Sequence, residues 1–416
     1  MVGTHHLGDV LFYGWIIVGA GFVVQLLNGG LLFHAFSAYV LPLQAEFGWS
    51  RTILASAFAL VRLESGILGP AQGWLIDRMG PRKVMTAGNA LFAIGFLLFA
   101  HTSSLTSFYV ALATIALGSS LGGFMPISTT VMQWFSRHRS TALGLTLAGM
   151  GTGGLLVPAV VYLIQLHGWR WMAMCSALLI ACITIPASQL MRRRPEDYGQ
   201  RPDGELDQQE ASVTPPQAEP SFSAGEALRT RAFWFLSLVH ASALLIVGTV
   251  LVHQIPHMVE GVGLSQTRAG QVVALLVVVV IGGQLSGGWI GDRVDKRWII
   301  FIAMWMHAVA MVVFAYATTI AGTMIFAVLH GAAWGIRGTI INSIRADYFG
   351  RRAYATISGL SAMLIMVGMT SGPLFSGIVR DLTGSYRGAF LTLALLAVLG
   401  SIAALAARPP LQTSSA

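Results

Sequence analysis

GWLIDRMGPRK, residues Gly73 to Lys83, is a short polar segment between two long apolar stretches. Its four charged side chains fall within the seven residues 77–83. A turn with this much charge cannot lie in hydrocarbon, because each charged group would have to leave water. The segment must therefore lie at a membrane surface, where it joins two membrane-spanning helices.

The composition of the whole chain agrees with a protein that crosses the membrane many times. Of its 416 residues, 55% are hydrophobic and only 10% are charged, and the mean hydropathy is +0.70. Soluble domains carry about 25% charged residues, and a spanning helix needs about 20 apolar residues. We predict an all-α membrane protein with twelve spans at about 11–41, 50–76, 83–101, 106–133, 139–165, 169–191, 231–258, 266–290, 298–318, 320–345, 353–380 and 386–407.

The opening segment is repeated in the second half of the chain. GWIGDRVDKR, residues 288–297, places Asp292 at 215 residues after Asp77. WFSR at 134–137 returns as YFGR at 348–351, a shift of 214 residues. Because the repeated unit contains an even number of spans, the two copies run parallel in the membrane. We therefore predict two pseudo-symmetric six-helix bundles.

The stretch 192–230 separates the two copies and is rich in Pro, Gln, Ser and charged residues. Such a segment buries too little apolar surface to fold alone. We predict a first bundle at 1–191, a linker at 192–230 and a second bundle at 231–416. In the second copy Asp295 stands where the first has Gly80, which predicts a looser turn.

The basic residues predict the orientation of the chain. With the N-terminus inside, the inner segments hold 18 of the 25 Lys and Arg residues and the outer loops hold five. Cytoplasmic loops carry such an excess, so we expect both termini and the linker in the cytoplasm. The net charge of +8 is thus spread over the inner loops, and no nucleic-acid partner is predicted.

Three charged residues are predicted deep within spans: Arg62, Glu64 and Arg337. An unpaired charge at this depth costs at least about 2.5–3.5 kcal/mol. Arg337 forms a helical stripe with Trp334 and His330, which suits the bidentate binding of a planar anion such as a carboxylate.

Arg62 is expected to support that site. Glu64, as the only acidic residue deep in a span, is the candidate proton carrier. A structural polar network around Arg62 and Glu64 is an equally good interpretation.

The first span contains uncharged polar groups that could also face a substrate. Gln25 and Asn28 lie beside Gly29 and Gly30, a pattern that fits either a cavity-facing break or a hydrogen bond between helices. The histidines are dispersed and predict no metal site. No enzymatic motif and no cofactor-binding motif is present.

The spacing Gly73-x3-Asp77-Arg78-x-Gly80-x-Arg82-Lys83 resembles the helix 2 to helix 3 loop of the major facilitator superfamily. YGW at 13–15, FGWS at 47–50 and RRPEDYG at 193–199 resemble bacterial monocarboxylate-transporter-like and oxalate/formate-antiporter-like members. The resemblance implies alternating access and small carboxylate substrates, often moved with a proton. It also implies a cytoplasmic gate formed by the motif residues Gly73, Asp77, Arg78, Gly80, Arg82, Asp292 and Arg293.

One feature departs from this subfamily. Monocarboxylate transporters are expected to carry an Arg within helix 8, whereas the span at 266–290 has none in its interior. The buried positive charges are predicted in the second and tenth spans instead.

The sequence therefore predicts a monomeric secondary transporter of a small organic anion, a mono- or dicarboxylate, with proton coupling. Its partners are that anion, protons and membrane lipids, and its location is the bacterial inner membrane. Symport and antiport both stay open. One alternative is a proton-driven exporter of neutral or cationic compounds that uses Glu64. A second is a membrane sensor that has this fold but does not transport.

Overall fold

The computed structural model describes residues 12–49, 53, 64, 66–204 and 221–410. Arg62 and most of the second predicted span lie outside this part of the chain. All regular secondary structure within the described ranges is helical.

We name twelve helices of the described ranges in chain order and leave the short helices of 196–228 unnumbered. All except α2 are long and apolar enough to cross a membrane, which confirms eleven of the predicted spans within the described residues. α2 is the end of the second predicted span. The twelve helices are α1 Tyr13–Phe47, α2 Gly69–Met79, α3 Pro81–Ala100, α4 Leu105–Trp134, α5 Arg139–His167, α6 Trp169–Gln189, α7 Arg231–Gly261, α8 Gln266–Gly291, α9 Lys296–Ala315, α10 Ile320–Phe349, α11 Tyr354–Thr383 and α12 Arg387–Ala406.

Local sequence accounts for where several helices begin. The side chains of Ser104, Thr230 and Ser265 each accept a hydrogen bond from the backbone N–H three residues later, at the starts of α4, α7 and α8. These caps satisfy N–H groups that have no partner inside the helix. The bounds therefore follow from short polar sequences between the apolar runs.

The two copies of the repeated turn differ as expected. Gly80 alone separates α2 from α3, and its φ of +86° is a conformation that glycine adopts at little cost. In the second copy the four residues 292–295 separate α8 from α9, and the side chain of Asp295 caps α9. The second turn is longer and needs no positive φ.

The helices form two six-helix bundles. In the first, α3 packs against α4 and α6, and α1 packs against α5. In the second, α10 packs against α8 and α9, α7 against α11, and α12 against α9. The bundles meet along two helix pairs, α2 with α11 and α5 with α8.

One end of the molecule carries the turn at Gly80, the loops 135–138, 292–295 and 350–353, and the segment that follows α6. We call this end the motif face. Between α6 and α7, residues 205–220 lie outside the described part of the chain, so the domain boundaries stay predictions.

Small residues set the distance between helices inside each bundle. A Cβ added at Gly335 in α10 would lie 2.2 Å from the backbone oxygen of Val280 in α8. Real Cβ atoms do not approach a backbone oxygen this closely, so α8 and α10 depend on a glycine at this position. Small residues at helix interfaces allow such close approach in membranes.

Gly335→Val is therefore expected to lower the free energy of unfolding by about 1–3 kcal/mol, the usual cost of overpacking. The measurement is the Tm of purified protein in detergent. Gly282→Val on α8 is the matched control, because a Cβ there would have no atom within 4 Å. Equal Tm values for the two variants would contradict this account of the packing.

Candidate functional site

The motif residue Asp77 reaches across to the second bundle. Its carboxylate accepts hydrogen bonds from the backbone N–H of Thr356, at 2.9 Å, and from the Thr356 hydroxyl, at 2.6 Å. Thr356 lies in the first turn of α11. Asp77 therefore caps a helix of the opposite bundle, where the N-terminal end of the helix dipole favours negative charge.

Asp292 makes the mirror contact from the second bundle. Its carboxylate accepts hydrogen bonds from the backbone N–H groups of Ser140, at 2.8 Å, and Thr141, at 2.9 Å, in the first turn of α5. Thr141 and Thr356 are 215 residues apart, like the two aspartates. The duplication thus produces two reciprocal caps between the bundles.

A glycine beside each cap allows the helix backbones of the two bundles to pack closely. A Cβ at Gly73 would lie 2.2 Å from the carbonyl oxygen of Ala355, and one at Gly288 would lie 2.8 Å from that of Ser140. Larger residues at these positions would push the capping carboxylates away from their N–H donors. The glycine and the aspartate of each motif therefore act together.

Further polar contacts close the motif face. Arg139 of α5 forms an ion pair with Asp347 of α10 at 2.9 Å, and Lys296 binds the other oxygen of that carboxylate. The side-chain amide of Gln133 donates to the backbone oxygen of Arg351 at 2.7 Å, and the Arg351 guanidinium donates to the backbone oxygen of Gln133 at 2.9 Å.

None of these residues was among the predicted site residues. Position 133 corresponds to 347 under the 214-residue shift of the repeat. Gln133 and Asp347 are thus equivalent polar residues, each immediately before a repeated WFSR or YFGR motif. This shared position is the sequence signal from which their contacts could have been predicted.

Three arginines of the predicted gate contact their own bundle instead. The guanidinium of Arg78 stacks on Trp74 at 5.1 Å from the ring centroid, and that of Arg293 stacks on Trp289 at 4.2 Å. Arg82 donates to the Oε1 atom of Gln189 in α6 at 2.9 Å. These side chains are exposed at the motif face. Their described contacts fit anchoring of helix ends at the membrane surface.

The candidate proton carrier Glu64 has a hydrogen-bond partner within the first bundle. The amide of Gln72 donates to Glu64 Oε1 at 2.9 Å, and the Ser120 hydroxyl of α4 donates to Gln72 Oε1 at 2.8 Å. Gln72 is buried, whereas Glu64 is partly exposed. Glu64 therefore belongs to a polar chain that joins the second span to α4.

Gln25 and Asn28 lie beside an irregular part of α1. Residues Asn28–Phe33 form a π-helical turn, and such turns are frequent at functional sites. Gly29 packs against the backbone of Met150 in α5. Both side-chain polar atoms of Gln25 and the Nδ2 atom of Asn28 are buried without a hydrogen-bond partner. In the described contacts these amides thus make no bond between helices.

Arg337 lies in the middle of α10 with no exposed surface. Its Nε and Nη1 atoms are buried and have no hydrogen-bond acceptor. Among the ion pairs of the described residues, none involves Arg337. An unpaired buried charge is costly, on the order of several kcal/mol. Arg337 is therefore the least satisfied charged group that the structure describes.

The predicted stripe on α10 is only partly formed around Arg337. Trp334 is half-buried, with its ring 6.2 Å from that of His330. His330 is fully buried and turns towards α9, where its Nδ1 atom lies 3.1 Å from Nδ1 of His307. The sequence analysis did not pair these histidines, although each occupies the middle of one of two consecutive spans.

Arg345 ends the tenth predicted span at 320–345, yet it lies inside α10, which continues to Phe349, and it is 3% exposed. Its guanidinium donates to Asn342 Oδ1 at 3.2 Å and to Ser361 Oγ at 2.8 Å, and it lies 3.0 Å from His240 Nδ1. The span continues beyond residue 345 because polar groups within the bundle satisfy this charge.

Comparison with known proteins agrees with this architecture. The family model of the Major Facilitator Superfamily matches residues 21–286 and 254–415. The chain belongs to the Major Facilitator Superfamily.

Human monocarboxylate transporter 11 is 28% identical over 404 residues, which cover 94% of this chain and 82% of that protein. Rat monocarboxylate transporter 13 is 25% identical over 395 residues, which cover 94% of this chain and 87% of that protein. The crystal structure of FucP in the outward conformation matches with a TM-score of 0.74, covering 96% of this chain and 99% of that one at 17% identity. At that identity, FucP shows the shared fold alone.

The family match makes the chain an integral membrane transporter and not an enzyme, and its sequence is similar to those of monocarboxylate transporters. Transport implies a small-molecule substrate. Because the monocarboxylate transporters cited here are mammalian, the bacterial inner membrane stays a prediction from the subfamily resemblance.

The reciprocal caps predict that Asp77→Ala opens the motif face. Removing a capping carboxylate costs about 0.5–2 kcal/mol, which corresponds to a roughly two- to thirtyfold shift between closed and open states. We would measure the distance between spin labels at Arg137→Cys and Arg352→Cys, in a protein that also carries Cys175→Ser and Cys182→Ser. Asp381→Ala, which removes an exposed carboxylate from the other end of α11, should leave the distance distribution unchanged. An unchanged distribution in Asp77→Ala would contradict a locking role.

Proposed function

We propose that this protein is a secondary transporter that moves small organic anions, of the mono- or dicarboxylate class, by alternating access. The observation that carries the proposal is Arg337, a buried guanidinium with two nitrogen atoms that lack acceptors. A guanidinium presents its N–H groups in the planar arrangement that fits a carboxylate. The names of the relatives, monocarboxylate transporters 11 and 13, point to the same class.

The energetic reasoning favours a substrate anion over a purely structural role. A structural arginine in a bundle interior is satisfied by protein groups, as Arg345 is by Asn342 and Ser361. Arg337 lacks such partners, although it lies on the same helix only two turns from Arg345. An anion that binds it would neutralise the charge and supply the missing acceptors.

Other groups are proposed to complete the substrate site. Trp334 and His330 precede Arg337 on α10 by three and seven residues, and the unpartnered amides of Gln25 and Asn28 offer uncharged donors from the first bundle. Arg62 is proposed as a second cation, although it lies outside the described residues. A site formed from both bundles would couple substrate binding to their relative movement.

The motif face is proposed as the cytoplasmic gate. The excess of basic residues in its loops supports a cytoplasmic location. The caps at Asp77 and Asp292, together with the Arg139 ion pair, hold this face closed in the present structure. Alternating access would require these contacts to break as the opposite face closes. Gly73 and Gly80 are proposed to shape the gate, while Arg78, Arg82 and Arg293 are proposed to position its helix ends.

The proposal predicts opposite effects of Arg337→Met on binding and on stability. Losing a charge-assisted contact to a buried anion costs about 2 kcal/mol or more, which is at least about thirtyfold in affinity. Without a bound anion, Arg337→Met should be as stable as the wild type or more stable, because the substitution removes an unpaired buried charge. Thermal melting with and without acetate, lactate, pyruvate and benzoate measures both effects.

Arg380→Met is the control, because Arg380 lies near the other membrane face and pairs with Glu260 at 3.3 Å. It should retain the anion-induced rise in Tm. A marked loss of Tm in empty Arg337→Met, with anion binding intact, would show that Arg337 is structural. Stabilisation of the wild type by cationic dyes and by no anion would instead favour the exporter of neutral or cationic compounds.

Proton coupling is proposed to involve Glu64, which lies in the first bundle near α4. Its hydrogen bond from Gln72 would hold the carboxylate in place. Glu64→Gln keeps the size of the side chain but cannot carry a proton.

We expect uptake of labelled pyruvate, lactate or benzoate into vesicles to accelerate when a pH gradient is imposed, and Glu64→Gln to remove that acceleration. Glu260→Gln at the opposite face is the control and should behave as wild type. Uptake in Glu64→Gln that still follows the gradient would exclude Glu64 as the carrier. Anion binding without any uptake in the wild type would favour the sensor.

A further inference from the structure

A pair of histidines occupies the interior of the second bundle behind the proposed anion site. His307 of α9 and His330 of α10 have no exposed surface, and their Nδ1 atoms lie 3.1 Å apart. The Nε2 atom of each ring is buried and has no hydrogen-bond partner. Two titratable rings thus share one hydrogen bond and leave both outer nitrogens unused.

The hydrogen bond fixes where the protons of a neutral pair must lie. One ring donates its Nδ1–H to the Nδ1 atom of the other, so the accepting ring must carry its own proton on Nε2. The donating ring then has a bare Nε2 atom, which is basic and unpaired. A third proton can bind there without breaking the shared hydrogen bond, and the donating ring becomes an imidazolium.

The charged and titratable neighbours of the pair are nearly all cationic or neutral. Arg337 of α10 acts on both rings, and it acts also on His240 of α7, which contacts Arg345. His257 of α7 lies beyond the stacked rings of Phe314 and Phe326, with its Nε2 atom 2.9 Å from the Phe314 backbone oxygen.

The remaining packed helices add charge only at their ends. α8 has only Arg268 and α12 has only Arg387, both in the first turn. α9 has Lys296 and Arg297 at its start. α7 and α10 each have an acidic residue near one end. Glu260 of α7 pairs with Arg380, and Asp347 of α10 pairs with Arg139 and Lys296.

The guanidinium of Arg337 is the electrostatic neighbour that both rings share. In the empty protein its positive charge opposes a second positive charge on the pair. An anion bound to Arg337 would cancel that opposition and attract a proton to the bare nitrogen. Anion and proton would then bind cooperatively, and the coupling would act equally in both directions.

We propose that the His307–His330 pair takes up a proton when an anion binds at Arg337. The inference rests on the proposed anion site and adds a titratable group in the second bundle to Glu64 in the first. Because the two groups lie in different bundles, substitutions separate them. The proposal specifies that anion affinity increases as the pH falls, by up to about tenfold per pH unit for one linked proton.

The experiment measures proton uptake on binding. Pyruvate, lactate and benzoate are titrated calorimetrically into purified full-length protein at pH 7, in buffers that differ in ionisation enthalpy. The difference in heat between buffers gives the number of protons taken up per anion bound. The wild type should take up a measurable fraction of a proton, up to one.

His307→Gln, at a residue outside the proposed substrate site, should still bind the anion but with uptake close to zero, and its affinity should lose its pH dependence. His330→Gln is made as well, because the loss of either ring removes the shared proton site. Since His330 is also proposed to line the substrate site, only its proton uptake per anion bound is compared. His257→Gln, a buried histidine of α7, and Glu260→Gln, which removes a carboxylate near the other membrane face, are the controls and should retain the uptake. A melting transition for each variant establishes that it is folded.

Two results would overturn the inference. One is anion binding to the wild type without proton uptake, and the other is uptake that persists in a folded His variant that still binds the anion. Failure of all three anions to bind the wild type is a different result, because it contradicts the proposed anion site itself.

Discussion

A positive charge enclosed among apolar helices has to be compensated, since neither lipid nor an aliphatic core can solvate it. Arg345 is compensated by polar side chains of its own bundle, whereas two nitrogens of Arg337 have no acceptor. The unpaired nitrogens of His307 and His330 lie in the same bundle. The second bundle therefore retains a group of polar atoms whose partner the described part of the chain does not supply, and we propose an anionic substrate as that partner.

The two bundles need a contact that is firm when closed and can still be broken. The capping carboxylates of Asp77 and Asp292 meet this need because they lie at a membrane surface, where water can replace the helix N–H groups when the caps separate. The glycines at 73 and 288 bring the backbones close enough for the caps to form. Duplication of one motif thus produced two equivalent caps between the bundles. The ion pair of Arg139 with Asp347 adds a third contact between them.

The sequence predicted the helices better than it predicted their contacts. Apolar length and the duplicated motif are local properties, so they predicted eleven described spans, the two bundles and the equivalence of Asp77 with Asp292. The rotation of each helix about its axis depends on packing. For that reason His307 and His330 were not paired, and Arg78 and Arg293 were assigned to the gate although they stack on tryptophans of their own helices. The tenth span was predicted to end at Arg345 because hydropathy alone does not reveal that residue's polar partners on α7 and α11.

The most direct test of the central claim is an experimental structure of the protein in lipid with a bound carboxylate such as benzoate. The account predicts that the carboxylate oxygens lie within hydrogen-bonding distance of the Nε and Nη1 atoms of Arg337. A carboxylate bound elsewhere while Arg337 pairs with an Asp or Glu side chain of the protein would contradict it.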